Sequence, residues 1–182
     1  MSGLVFIAAF LATLGSIIWL TKIAVQSRHS IELKSLSERA ATTDQLLTTF
    51  RIVLVTCSTL FSVSIYLFIA PRLHNGIPAV IAWTCTYIGI LLAAALPARD
   101  KTLRSHIFAA QCMGAGMLVL AYIFWKSLSG SYASIELAIA ICMSLLAVLT
   151  YIDMKRYIIH ELAFIYLNHV TIVVAAIALL HV

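Results

Sequence analysis

The sequence predicts an all-α integral membrane protein, a bundle of six transmembrane helices. Three observations carry this. The 182 residues are 63% hydrophobic and only 10% charged, against about 25% charged in a typical soluble domain. The apolar residues gather into six segments of about 20 residues, the length that crosses ~30 Å of hydrocarbon as a helix. Almost all ionisable residues fall between those segments. Six such spans leave no room for a separate soluble domain, so residues 1–182 read as one transmembrane domain in a cell membrane.

Span one covers about 3–21. No charge precedes it and its apolar run reaches Leu20. It therefore reads as a retained membrane helix, since a secretory signal carries a positive leading segment and a shorter apolar core. The connection 22–50 is the only long one. It holds Ser35-Leu36-Ser37-Glu38 and Thr42-Thr43-Asp44-Gln45, two capping-box patterns. Leu33, Leu36, Ala40, Leu47 and Phe50 recur at helical spacing. A short amphipathic helix at the membrane surface is expected there, separate from span two or continuous with it. It reads either as a docking or lipid-sensing element or as a connector lying on the headgroups.

Span two covers about 51–70, and Pro71, Asn75, Gly76 and Pro78 mark the turn into span three, about 77–96, which Pro97 ends. Span four covers about 106–125. Ser127, Ser129, Gly130 and Ser131 lead to span five, about 133–151, and span six covers about 159–180.

Charge sets the expected orientation. The connections after spans one, three and five hold Lys22, Arg28, Lys34, Arg39, Arg51, Arg99, Lys101, Arg104, Lys155 and Arg156, ten of the twelve basic residues. The other face holds only Arg72 and Lys126. The positive-inside rule puts the basic connections in the cytoplasm and both termini outside. Arg51, at a span edge, is expected to snorkel toward the headgroups. The net charge of +5 therefore reports topology, and nucleic acid is not an expected partner.

Small residues at four-residue spacing let helix backbones approach closely. Ala8, Ala12 and Ser16 in span one, Cys85, Gly89 and Ala93 in span three, and Ala110 and Gly114 in span four form such faces. They would pack within the chain or against a protein partner or a second copy. Cys57, Cys85, Cys112 and Cys142 fall in four different spans without a CxxC spacing, and read as buried apolar thiols.

Polar groups inside lipid are costly and each needs a reason. In span six, Tyr157, Glu161 and Asn168 lie at i, i+4 and i+11, within about 40° of one another around a helix. His169 is rotated about 100° from Asn168, toward a neighbouring helix. This intramembrane polar face reads as a pocket or as interhelical hydrogen bonds that fix packing. Glu161 could pair with Tyr157, Lys155 or Arg156, and Asn168 with Ser58, Thr84 or Gln111. A second group shares the basic face: Asp100, His106, Asp153, His160 and Glu161. Its imidazoles and carboxylates are donors suited to Zn²⁺ or another divalent ion, and equally to balancing the basic residues around them. No nucleophile, phosphate-loop or dinucleotide motif occurs, and no motif requires a cofactor.

Leu36-Ser37-Glu38-Arg39-Ala40-Ala41 ahead of span two, and Leu96-Pro97-Ala98-Arg99-Asp100 with His106 opening span four, resemble features of the Frag/DRAM/Sfk group of six-span proteins. They resemble more closely an uncharacterised bacterial family related to that group. The resemblance implies a six-span fold with a membrane or lipid-related role and no shared chemistry. It carries over only Ser37, Asp100 and His106. The first loop of eukaryotic members is thought to lie outside, whereas five basic residues here favour the inside. The expected function is binding of a membrane lipid or membrane partner. The alternative is an intramembrane enzyme acting on lipid, metal-assisted or not.

Overall fold

The computed structural model describes residues 2–26, 35–74, 76–98, 102–153 and 156–180. The elements are α1 (Ser2–Gln26), α2 (Leu36–Ala40), α3 (Asp44–Ser64), α4 (Ile77–Ala95), α5 (Leu103–Ser127), α6 (Gly130–Ile152) and α7 (Tyr157–Ala178), with no strand among the described residues. Six helical segments are long and apolar enough to cross a membrane. The predicted all-α membrane bundle is therefore the observed fold.

The long helices form a closed ring. α1 packs on α3, α3 on α4, α4 on α5, α5 on α6, α6 on α7, and α7 returns to α1. The outside is apolar: Leu11, Ile18, Ile52, Phe108, Leu145 and Ile159 are exposed. Only lipid is a good solvent for such a surface. Inside, Phe61 and Trp83 meet edge to face at 6.1 Å, and the Trp83 indole N–H donates to Ser62 Oγ at 2.8 Å. Lipid gives apolar helices little hydrophobic reason to associate, so close packing and such bonds hold the ring.

The closest approach is α4 on α5. A Cβ on Gly89 would stand 2.8 Å from Ala109 O and Met113 N, and one on Gly116 would stand 2.8 Å from Ala82 O. Ala12, Ser16 and Ala93 are also buried within the chain, so much of the expected small-residue surface is consumed inside the bundle. Gly114 differs from expectation. Its nearest neighbour would be Phe164 Cε1 at 4.0 Å, because it faces a cleft rather than a helix; Gly116, half a turn on, makes the contact. The cysteines also differ. Cys57 and Cys112 are half-buried, but Cys85 and Cys142 are exposed on the apolar outer surface.

The second span is longer than its apolar run. α3 starts at Asp44 and the helix continues through a widened π turn, Ile65–Ile69, and a 3₁₀ turn, Ala70–Arg72. Pro71 has no N–H and its ring crowds the carbonyl four residues back. The helix widens just before it, Ala70 N bonding Ile65 O. Pro71 thus sits in the last turn of the span instead of the connection. The first residue of α6, Gly130, has φ +59°. That left-handed conformation lets the chain reverse over two residues between α5 and α6, and favours glycine.

Candidate functional site

The basic end of the bundle is built around α2. Ser35 is its N-cap: Ser35 Oγ accepts from Glu38 N at 3.2 Å and Glu38 Oε2 accepts from Ser35 N at 2.7 Å. The first expected capping box is therefore present. In the second pattern the cap is Thr43, one residue later than the box implies, with its hydroxyl accepting from Leu46 N. α2 packs against the bundle. Leu36 and Ala40 are buried, and α2 packs on α1, α3 and α7.

Glu161 of α7 holds this insertion. Its Oε2 accepts from Leu36 N at 2.7 Å, taking up a donor that the first turn of a helix leaves open. This replaces the expected pairing with Tyr157 or Arg156; Lys155 lies outside the described residues. Two arginines close helix C-termini at the same end. Arg51 donates to Ala94 O at 2.7 Å and Ala95 O at 3.3 Å, and Arg39 donates to Ala24 O at 3.2 Å. Cations are favoured at such carbonyl ends, and Arg51 braces α4. His106 enters from α5, its Nδ1 2.6 Å from Leu96 O. A carbonyl only accepts, so Nδ1 carries a proton and Nε2 is the nitrogen left for other chemistry.

Two spaces meet here. A cleft of about 530 Å³ opens between α5 and α7, flanked by the end of α6 and by α2. It follows α5 from Leu103 to Leu118, roughly 22 Å at helical rise. Its polar lining includes Ser37, Glu38, His106, Tyr157 and Glu161, and its deeper lining includes Met113, Leu118 and Phe164. A smaller cavity of about 50 Å³ lies in the bundle core, bordered by Ser16, Ser58, Asn168 and His169. Ser37, His106, Ala110, Met113, Glu161 and Ile165 border both spaces and form the wall between them.

Asn168 is 0% exposed, and neither its amide nitrogen nor its oxygen has a hydrogen-bond partner within the protein. Two of its expected partners are bonded elsewhere, Ser58 to Val55 O and Thr84 to Tyr66 and Val80 O. His169 turns to α3 and stacks on Phe61, with ring centroids 4.9 Å apart. Tyr166 ties α7 to α1 through Thr21 at 2.7 Å.

Sequence reasoning missed Glu136 on α6. It is 0% exposed and stands within hydrogen-bonding reach of Thr171 of α7. The signal was present: a lone carboxylate two turns inside a span is as costly as Glu161.

The structure thus gathers His106, Tyr157 and Glu161 on one cleft and leaves Asp153 and His160 off its lining. Asp153 makes an exposed pair with Arg156 at 3.8 Å, worth little at a surface. His160 borders neither space, and its Nδ1 has no partner. Asp100 lies outside the described residues. Among the described residues no three His, Cys, Asp or Glu side chains gather as a metal-binding group. Compared with protein families, curated proteins and solved structures, the chain matches none.

Proposed function

We propose that this multi-pass membrane protein binds a single amphipathic lipid in the cleft between α5 and α7. The supporting observation is the shape and grading of that cleft. Its volume is within the usual range for ligand sites, about 300–1,000 Å³. It is mostly polar at the basic end and mostly apolar toward the middle of the bundle, with Gln111 the polar exception partway along, a grading that suits a headgroup and an acyl chain. Glu38, Glu161 and the hydroxyls of Ser37 and Tyr157 offer acceptors to a headgroup that donates, such as an amine or a polyol. Carboxylates that already accept one bond keep lone pairs for a second. Ser37 and His106, the described positions carried over by the family resemblance, both border this cleft.

Native mass spectrometry of the detergent-extracted protein tests this. A one-to-one lipid adduct is expected. Gly114→Trp, which fills the cleft where no other helix packs, is expected to remove the adduct while the protein stays monodisperse. An adduct unchanged in that variant would refute the proposal.

The seating of His106 favours a second reading, an intramembrane enzyme acting on the bound lipid. With Nδ1 held by Leu96 O, Nε2 would serve as general base to a hydroxyl or water in the cleft. A metal-assisted form of this reading would need Asp100 to join His106 and Glu161. Lipid products formed by the wild type and absent in His106→Gln, with the adduct retained, would support catalysis. Adducts without products would leave binding alone.

A further inference from the structure

Glu161 and His106 stand in the wall shared by the cleft and the core cavity. Each commits one atom to the backbone: Glu161 Oε2 accepts from Leu36 N, and His106 Nδ1 donates to Leu96 O. Their other atoms, Glu161 Oε1 and His106 Nε2, have no hydrogen-bond partner among the described residues. His106 is only 4% exposed, so its Nε2 needs a bond from within these spaces or stays unmet at a cost. With Nδ1 protonated, Nε2 is an acceptor. Glu38 borders the same cleft and is near enough for its charge to act on Glu161.

None of the described residues lining the cleft is Lys or Arg, although the cleft reaches the basic end. Arg39, Arg51 and Arg156 of that end are engaged elsewhere. A ligand suited to this mouth therefore brings positive charge to the carboxylates and hydrogen-bond donors to the acceptors. A phosphate alone brings neither. A quaternary ammonium brings the charge without an N–H, and a polyol brings donors without the charge. A primary ammonium brings both, three donors on one cation. We propose that the cleft selects a lipid whose headgroup ends in a primary ammonium, held by Glu161 Oε1 and His106 Nε2. The inference rests on the lipid reading of the cleft and adds the class of headgroup.

The test is the melting temperature of the purified full-length protein in detergent, at fixed neutral pH and ionic strength. Dodecylamine, dodecyltrimethylammonium and dodecanol are titrated as probes that share one chain and differ in headgroup. A ligand bound only by the folded state raises the melting temperature. A saturable rise is expected with dodecylamine, at a half-saturating concentration about tenfold below that of either other probe. Glu161→Gln keeps an acceptor for Leu36 N without the charge, and is expected to raise the dodecylamine concentration about tenfold. His106→Phe, which lacks Nε2, is expected to do the same. If one variant does not fold, the other decides, beside the comparison of probes. A rise with dodecyltrimethylammonium or dodecanol as strong as that with dodecylamine would overturn the proposal and leave the lipid reading standing. So would a dodecylamine titration unshifted in either variant. A dodecylamine rise that persists in Gly114→Trp, with the cleft filled, would place the amine elsewhere and overturn it too. No rise with any probe would overturn both readings.

Discussion

Glu161 and Asn168 lie on the same face of α7, two turns apart, yet the bundle treats them differently. Glu161 has a defined partner in Leu36 N. Its replacement by alanine orphans that donor and frees the start of α2, at a cost of about 1–3 kcal/mol. A lower melting temperature in detergent is expected for Glu161→Ala, together with faster thiol labelling of Ser37→Cys, now buried. Glu161→Gln retains an acceptor oxygen and is expected to lose much less. Asn168 has no partner to lose. Asn168→Leu removes two unsatisfied groups at similar volume and is expected to leave the melting temperature unchanged or raise it. A fall of several degrees would show that the amide holds a bond in the folded protein. The shared face of these two residues was legible from helical period alone. Their partners were not, because spacing along one helix carries no information about which neighbour faces it. Glu136 was overlooked although Tyr132 precedes it by one turn, the spacing of Tyr157 and Glu161, and its companion Thr171 comes from another helix.

At the scale of elements, the glycines of α5 separate packing from open space. Gly116 faces α4 and Gly114 faces the cleft, although both fit small-residue patterns. Gly116→Ala and Gly89→Ala are each expected to destabilise by about 1–3 kcal/mol, because a methyl group must displace backbone atoms. Gly114→Ala is expected to be neutral or stabilising, since the added Cβ meets only Phe164 at 4.0 Å and alanine is the better helix former by about 1 kcal/mol. Melting temperatures of the three variants in one detergent check the contrast. The spans were readable because each is a long apolar run, and their ends moved by a few residues where polar caps extend the helix past the apolar core. α2 was readable as a helix from its capping box. Its burial was not readable, because an amphipathic face serves a membrane surface and a bundle groove equally well, and the deciding contact is Glu161, 125 residues away.

For the whole molecule, the described basic residues of the connections after spans one, three and five, Lys22, Arg39, Arg51, Arg104 and Arg156, stand at one end of the ring. There Arg39 and Arg51 also close the C-termini of α1 and α4. These two arginines therefore act twice, as packing groups and as topology signals. Their structural role does not weaken the charge bias, since Lys22, Arg104 and Arg156 stand at the same end and Arg72 and Lys126 alone at the other. Moving this many positive charges across a membrane is opposed during insertion, so the basic end is expected in the cytoplasm and both termini outside. The test uses a background in which Cys57, Cys85, Cys112 and Cys142 are replaced. Gln45→Cys, at the exposed start of α3, reports the basic end, and His74→Cys reports the other. In intact cells a membrane-impermeant thiol reagent is expected to label His74→Cys and to reach Gln45→Cys only after permeabilisation. The reverse pattern would place the basic end outside. The cleft between α5 and α7 is lined by residues of that same end, so the reverse pattern would also move the proposed headgroup site from the inner leaflet to the outer one.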